Sequence, residues 1–496
     1  MPSDAAALAT PPNASEAAAA SAARIARIPT QVRRIHLIGV AGSAMAALAG
    51  MLVARGYSVS GSDNQLYEPT ASILKNLRID LRTAYSADNL TPPPDLVIVG
   101  NVVTRANPEV TALLAGPLAY LSMPEALRHF FLAGRRVLMV AGTHGKTTST
   151  AMMAQVLAVA GRDPSMLVGG VTRDFATNYR LGAGPDFVIE GDEYDTAFFD
   201  KGPKFLHYRA DGAILTAVEF DHADIYRDLD HVKASFRALA AQMDAPRVLA
   251  VCADFPHALE VSAVTRARRI TFGLRDGEFR AVDIRIGPAG ARFSIERAGV
   301  RVIGDLDLPV GGRMNVANAL GVFVLLSEFG VSGDELRVGL RAFGGVKRRQ
   351  EIVGEARDIV VIDDFAHHPT AIAATLEALA ERYAGRRILA AFEPRSNTAR
   401  RSVFQAGFAA AFDRAARVYL GAVYFKENDP IAPAARLDTD LLAAAIGARG
   451  PHAQACASTD AMLTAITGAA RAGDVIVCMS NGPFDGLPGR IVTALK

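Results

Sequence analysis

Cysteine is scarce in this chain: Cys252, Cys456 and Cys478 are the only three in 496 residues, widely separated and odd in number. They fit neither a disulfide framework nor the spacing of a zinc site, and a reducing cytoplasm suits them best. No charge of one sign prevails. Against 53 Lys and Arg stand 51 Asp and Glu, leaving a formal net charge of +2. That balance gives no reason to expect a nucleic-acid or membrane-surface partner. Long apolar runs are missing as well, since none reaches the roughly 18–20 residues that a spanning helix needs. The Ala-, Ser- and Pro-rich start is interrupted by Asp4, Pro11, Asn13 and Glu16. It therefore lacks the unbroken apolar stretch of a signal peptide and reads as a disordered leader over 1–30.

What remains is ordinary globular composition, half apolar and about a fifth charged. At roughly 150 residues per domain the length implies three domains, and three strand-and-helix units are found. The first opens at Arg34–Gly39, with a small-residue helix from Ser43 and a second strand ending near Asp63. The second opens at Arg136–Val140, and the third near Ile359–Ile362, with later strands at Arg387–Ala390 and Val475–Cys478. Strands alternating with helices predict an α/β protein with parallel, helix-covered sheets. Boundaries are expected at 31–134, 135–344 and 345–496. In such sheets ligands sit beyond the carboxyl ends of the strands, so the loops there carry the chemistry.

One of those loops is Gly142-Thr143-His144-Gly145-Lys146-Thr147-Thr148. Glycines let backbone N–H groups turn toward phosphate oxygens, a lysine reaches the β/γ-phosphates, and the following hydroxyl can hold Mg²⁺. The general phosphate-loop pattern wants glycine at position 140, where this chain has Val140. Two acidic segments follow the next strands: Glu190-Gly191-Asp192-Glu193-Tyr194-Asp195 and Glu219-Phe220-Asp221-His222. Carboxylates facing a phosphate loop suit Mg²⁺, a hard cation that prefers oxygen ligands. The early turn Gly39-Val40-Ala41-Gly42-Ser43-Ala44, with Asp63 beyond it, superficially invites a dinucleotide reading. Its spacing departs from G-x-G-x-x-G at Ala41 and Ala44, and an oxidoreductase would leave the Lys146 loop unexplained.

The loop, its acidic partners and their order resemble the Mur ligases, which join amino acids or peptides to UDP-N-acetylmuramic acid. The resemblance covers nearly everything from about Arg34 onward. It implies Rossmann-like N- and C-terminal domains around a central P-loop ATPase-like domain, with ATP and Mg²⁺ as cofactors. It implies Lys146, Glu190, His222 and His367 as catalytic residues, with Thr147, Glu190 and His222 on the metal. The phosphate loop from Gly142 to Thr148, with Asn315, Asn318, Arg349 and Asp364, would bind ATP. Asn315 could equally cap a helix, and Met314 stands where the family has histidine. Gly39, Ala41, Gly42, Ser43 and Asp63 would bind the UDP-sugar. Asn107-Pro108-Glu109 also looks family-like, though a helix start explains it equally well.

Several family members carry a carbamylated lysine about 14 residues beyond the His222 position, where this chain has Phe236. That resembles the branch adding the first amino acid or its recycling relative. Three segments, Glu190–Lys201, Glu393-Pro394-Arg395-Ser396-Asn397-Thr398 and Asn481–Gly486, resemble the recycling branch that attaches a tripeptide. Arg395, Ser396 and Asn397 would then bind the peptide. The expectation is a cytoplasmic ligase joining UDP-N-acetylmuramate to L-alanyl-γ-D-glutamyl-meso-diaminopimelate, with L-alanine as the alternative amine. A nucleotide-dependent regulator without chemistry would not need Lys146, Thr147, Glu190 and His222 intact.

Overall fold

The structure is a computed structural model that describes residues 14–496 apart from 67, 69, 424, 426–428 and 430. Three large sheets carry the chain, beside a two-stranded hairpin of Asp195–Ala197 and Asp200–Pro203. The first has five strands, all parallel, in the order Asp80–Arg82, Ser58–Ser62, Arg34–Ile38, Leu96–Val99, Tyr120–Ser122. Its two innermost runs, Ile35–Ile38 and Leu96–Val99, are buried throughout, as expected when helices cover both faces. Helix Ser43–Ala54 has no polar face because Met45–Leu52 are buried without a break.

The second sheet has ten strands. Its core is parallel: Arg136–Ala141 lies between Asp186–Gly191 and Gly212–Leu215, and Asp244–Cys252 and Arg266–Gly273 extend it. Beyond these come three antiparallel strands, Phe279–Gly287, Gly290–Arg297 and Val300–Leu308. They correct the expectation of parallel strands alone. Their connections are too short for a crossover helix. At Ala298 and Gly299 φ is 50° and 81°, the left-handed pair that a two-residue hairpin turn requires. The third sheet has six strands in the order Glu351–Ala356, Ile359–Asp364, Val475–Met479, Ile388–Phe392, Arg417–Gly421, His452–Cys456. Only its first strand is antiparallel.

The leader departs from its expectation. Residues Ala14–Ala26 form a helix, while residues 1–13 lie outside the described residues. Arg24 makes a bidentate contact with Glu125, at 2.7 Å and 3.0 Å to Oε1, and lies 4.6 Å from the centre of the Phe199 ring. Glu125 is itself fully buried and caps helix Met123–Leu127 through Ser122. Alanine's helix propensity explains why the segment folds once Arg24 has a partner to hold it. Among the described residues no helix is long and apolar enough to cross a membrane.

Candidate functional site

The phosphate loop leaves the buried strand Arg136–Ala141 and enters helix Lys146–Val159. Two glycines make this possible. Gly142 has φ +129° and a Cβ there would lie 2.2 Å from Thr216 Oγ1, while Gly145 has φ +79° and would meet Asn318 Oδ1 at 2.4 Å. The loop is fastened to the neighbouring strand end by Thr143 N donating to Ala217 O at 2.8 Å and by Thr216 Oγ1 donating to His144 O at 2.5 Å.

Lys146 Nζ donates to Gly142 O at 2.7 Å and to Glu193 at 2.8 Å. Burial works against its charge, but Glu193, with Glu190 beyond it, more than offsets this and holds the lysine pKa above its ordinary value. Thr147 Oγ1 donates to Glu190 Oε1 at 3.1 Å, and Gly169 N donates to Glu190 Oε2 at 2.8 Å. Burial raises the Glu190 pKa, with Lys146 opposing. His222 sits at φ +54°, a strained conformation for a residue with a side chain. Its Nε2 lies 3.0 Å from Glu193 Oε1. Burial disfavours the imidazolium, yet Asp221 and Glu193 prevail and push its pKa up to about 9.

The chemistry of this donor set fits a hard divalent cation. Beside the phosphate loop the Thr147 hydroxyl meets the Glu190 carboxylate, and the His222 ring nitrogen lies against a second carboxylate, Glu193; hydroxyl and carboxylate oxygens are the donors such a cation prefers. Phe236 is buried and stacked on Phe205, with centroids 5.4 Å apart. This position, compared above with a lysine, is here part of the core.

A cleft opens beside the loop. The central domain lines it with Gly145, Thr147, Thr148, Met314 and Asn315, and the C-terminal domain with Arg349, Asp364 and Thr375. Arg349 Nη2 donates to Thr147 Oγ1 at 3.3 Å, and its guanidinium lies 4.7 Å from the centre of the Phe365 ring. Asp364 accepts from Gln350 N and Ala366 N, both at 2.7 Å, and burial raises its pKa against Arg349. His367 Nδ1 lies 2.9 Å from Phe365 O, and burial lowers its pKa. Asn315 is no cap: the helix Arg313–Glu328 begins after Gly312, and Asn315 Nδ2 donates back to Gly311 O at 2.8 Å. Asn318 Nδ2 donates in turn to Asn315 Oδ1 at 3.3 Å.

At the N-terminal turn, Gly39 N and Val40 N donate to Ser62 O, and Ala41 N donates to Asp63 Oδ2 at 3.0 Å. Gly42 precedes helix Ser43–Ala54 without a side-chain cap, which leaves the helix's first N–H groups without a side-chain acceptor. Ser43 also accepts from Asn178 of the central domain. Asn107 caps helix Pro108–Ala115, which satisfies the helix-start reading, while Glu109 is buried against His36 and Ser62.

In the C-terminal loop Arg395 is 53% exposed, with only a 3.5 Å contact to Glu393, so its head group is available to a ligand. Ser396 Oγ accepts from Ala399 N at 2.9 Å, and Asn397 Nδ2 donates to Asp224 Oδ2 of the central domain at 3.1 Å. Both therefore shape and anchor the loop. Two functional positions went unassigned from sequence. Glu193 bridges Lys146 and His222, and Glu219 contacts His144 in the loop. Each lay within a recognised acidic segment, and nothing in the linear pattern separates it from its neighbours.

Three family models match in succession: the Mur ligase family catalytic domain over 34–135, the Mur ligase middle domain over 140–326, and the Mur ligase glutamate ligase domain over 348–482. The chain is 37% identical to the UDP-N-acetylmuramate–L-alanyl-γ-D-glutamyl-meso-2,6-diaminoheptandioate ligase of Haemophilus influenzae, covering 89% of this chain and 94% of that one. A murein peptide ligase crystal structure from Psychrobacter arcticus superposes with a TM-score of 0.70 at 33% identity, covering 93% of this chain and 98% of that one. The UDP-N-acetylmuramate–alanine ligase of Thermotoga maritima superposes with a TM-score of 0.76 at 25% identity, covering 94% and 99%.

Proposed function

Since the chain belongs to the Mur ligase family and is an ATP-dependent amide-bond-forming ligase, we propose that it joins UDP-N-acetylmuramate to the tripeptide L-alanyl-γ-D-glutamyl-meso-diaminopimelate. The observation that carries the choice of amine is the 37% identity, over 442 residues, to a relative named for that tripeptide. Exposed Arg395 at the carboxyl end of the C-terminal sheet supports it, because a guanidinium suits the carboxylates of an acidic peptide. The higher TM-score with the Thermotoga enzyme favours a second reading, in which L-alanine is the amine. Overlay of domains reports their arrangement rather than their pockets, so identity decides between the two.

In the proposed reaction the lactyl carboxylate of the sugar attacks the γ-phosphorus of ATP, and the bond to the β,γ-bridging oxygen breaks. This gives an acyl phosphate and ADP. The peptide's free amine then attacks the acyl carbon, loses a proton, and expels inorganic phosphate. The Gly142–Thr148 loop cradles the phosphates, and Lys146 exchanges its Glu193 contact for the transferring phosphoryl group, spreading its developing charge. Thr147, Glu190 and His222 would hold Mg²⁺, which supplies charge neutralisation to the phosphates. Arg349 and Asp364 bring the C-terminal domain to the nucleotide, and Gly39–Ser43 receives the pyrophosphate of the UDP-sugar. A closed cleft keeps water from an acyl phosphate that hydrolyses easily.

Phosphate release with ATP, Mg²⁺ and UDP-N-acetylmuramate tests this directly, with tripeptide or L-alanine as the amine. Tripeptide should be preferred. Preference for L-alanine would transfer the enzyme to the second reading, and no release with either would refute both.

A further inference from the structure

The carboxylate of Glu219 faces two domains at once. Its Oε2 lies 2.6 Å from His144 Nε2 in the phosphate loop. Its Oε1 accepts a hydrogen bond at 3.2 Å from Thr370 Oγ1, in the first turn of the C-terminal-domain helix Pro369–Arg382. The backbone is tied to the same loop, because Glu219 N donates to Thr143 Oγ1 at 2.9 Å. Beside it, His368 Nδ1 accepts from Thr370 N at 3.3 Å, so the ring proton sits on Nε2 and is donated to Phe220 O at 3.1 Å. Burial, and then His144, push the His368 pKa down to about 4, which leaves that neutral tautomer in place near pH 7. Glu219, Thr370 and His368 are not among the residues that line the nucleotide cleft.

We propose that Glu219 is a positioning residue that makes the conformation of the phosphate loop depend on docking of the C-terminal domain. A carboxylate is a rigid planar fork. With Thr370 on one oxygen and His144 on the other, arrival of the C-terminal helix fixes the carboxylate plane, and that plane fixes His144 and the loop around it. Withdrawal of the helix releases one oxygen, and the carboxylate can rotate away from His144. The loop then holds the triphosphate well only when the third domain is in place, which delays phosphoryl transfer until the site is closed. His144, Glu219 and His368 could also be read as a cation site. The tautomer opposes this, because both His368 nitrogens are already engaged.

The inference rests on the ATP-dependent ligase reading but not on which amine is joined. Its test is therefore independent of the amine. Amide hydrogen exchange of residues 142–146 and the kcat for ADP formation would be measured in Thr370→Val, Glu219→Ala, the double variant and the conservative Thr370→Ser. Thr370→Val should speed loop exchange about tenfold and lower kcat about tenfold, the scale of a typical coupling between sites. The KM for UDP-sugar should hold, and Thr370→Ser should restore both readouts. In the Glu219→Ala background Thr370→Val should add nothing, since no side chain is left to link Thr370 to His144. Effects that multiply, or loop amides exchanging at the wild-type rate in Thr370→Val, overturn the proposal. Loop exchange that responds to Thr370 while no amine is ligated supports the coupling and counts against the ligase reading instead.

Discussion

The two junctions between domains are built differently. Where the N-terminal and central domains meet, one apolar cluster runs through both, from Leu37, Leu127 and Phe131 to Val137, Phe187 and Phe236. The hairpin formed by Asp195–Ala197 and Asp200–Pro203 carries Phe198 and Phe199, and Phe199 packs edge-on against Tyr120 at 5.2 Å. Arg24, Glu125, Asp200 and His207 meet beside it in a largely buried network of charge. Where the central and C-terminal domains meet, the apolar clusters stop. Those of the C-terminal domain contain only its own residues. Two ring contacts, Phe220 on Phe404 and His144 on His368, stand among hydrogen bonds such as Ala223 N to Thr398 Oγ1 at 3.0 Å and Asn397 to Asp224. The nucleotide cleft lies at this second junction. An apolar junction loses buried surface when it opens, whereas a polar one exchanges its hydrogen bonds for water at little net cost. On the proposed function the first junction would serve as a fixed platform for the UDP-sugar, and the second as the reversible one that closes over ATP and peptide.

Substitutions at the two junctions should separate stability from catalysis. The largest effect is expected at the fixed one. Arg24→Ala removes the cationic partner of fully buried Glu125, which keeps only its hydrogen bonds from Ser122, and should cost roughly 3 kcal/mol, the low end for breaking a buried pair. Denaturant unfolding would measure it, with kcat of the folded fraction unchanged. Lys146→Met belongs to chemistry rather than to either junction. It should lower kcat by about 10²–10³, as loss of a donor to developing charge does.

The pH dependence sharpens the contrast at the reversible junction. The His222 pKa, pushed up to about 9 by Asp221 and Glu193 against its burial, lies above the ordinary value of 6.5. In the metal-free protein its contribution to stability is full below about pH 6.5 and is lost as pH rises through about 9. Thermal melting in chelator should show wild type losing its advantage over His222→Gln across that window, and parallel curves would contradict the assignment. Thr398→Val leaves Ala223 N without its acceptor and should cost only about 0.5–1.5 kcal/mol, read mainly as a lower kcat/KM. Smallest of all, Arg173→Ala removes a half-exposed ion pair with Glu351 across the same junction. It should change stability by about 0–1 kcal/mol, and a larger loss would mean that the reversible junction is held more firmly than its hydrogen bonds imply.

Much of this was legible in the linear chain. Apolar runs such as Ile359–Ile362 and Val475–Cys478 are strands because both faces of a helix-covered sheet are buried, and the pattern needs no long-range information. The phosphate loop was equally plain, since its glycines, lysine and hydroxyl are contiguous. Other features depend on contacts distant in sequence. Helix Ala14–Ala26 follows Pro11 and Asn13 in a low-complexity stretch, and its anchor Arg24 finds Glu125 some 101 residues away. The strands of 279–308 escape the sequence reading because Arg and Asp recur in them, which blunts the alternation that marks a half-buried strand. Among the clustered carboxylates sequence picked out Glu190, and Glu190 does meet Thr147. The separate importance of Glu193 and Glu219 emerges only when three strand ends and the C-terminal helix come together.

The most direct test of the whole account follows oxygen. UDP-N-acetylmuramate labelled with ¹⁸O in its lactyl carboxylate would be turned over with ATP, Mg²⁺ and the tripeptide, and the released phosphate examined by mass spectrometry. Attack of that carboxylate on ATP, followed by amine attack on the acyl phosphate, requires one labelled oxygen in each phosphate released, with tripeptide turned over faster than L-alanine. Unlabelled phosphate, or release that does not depend on an amine, would contradict the account.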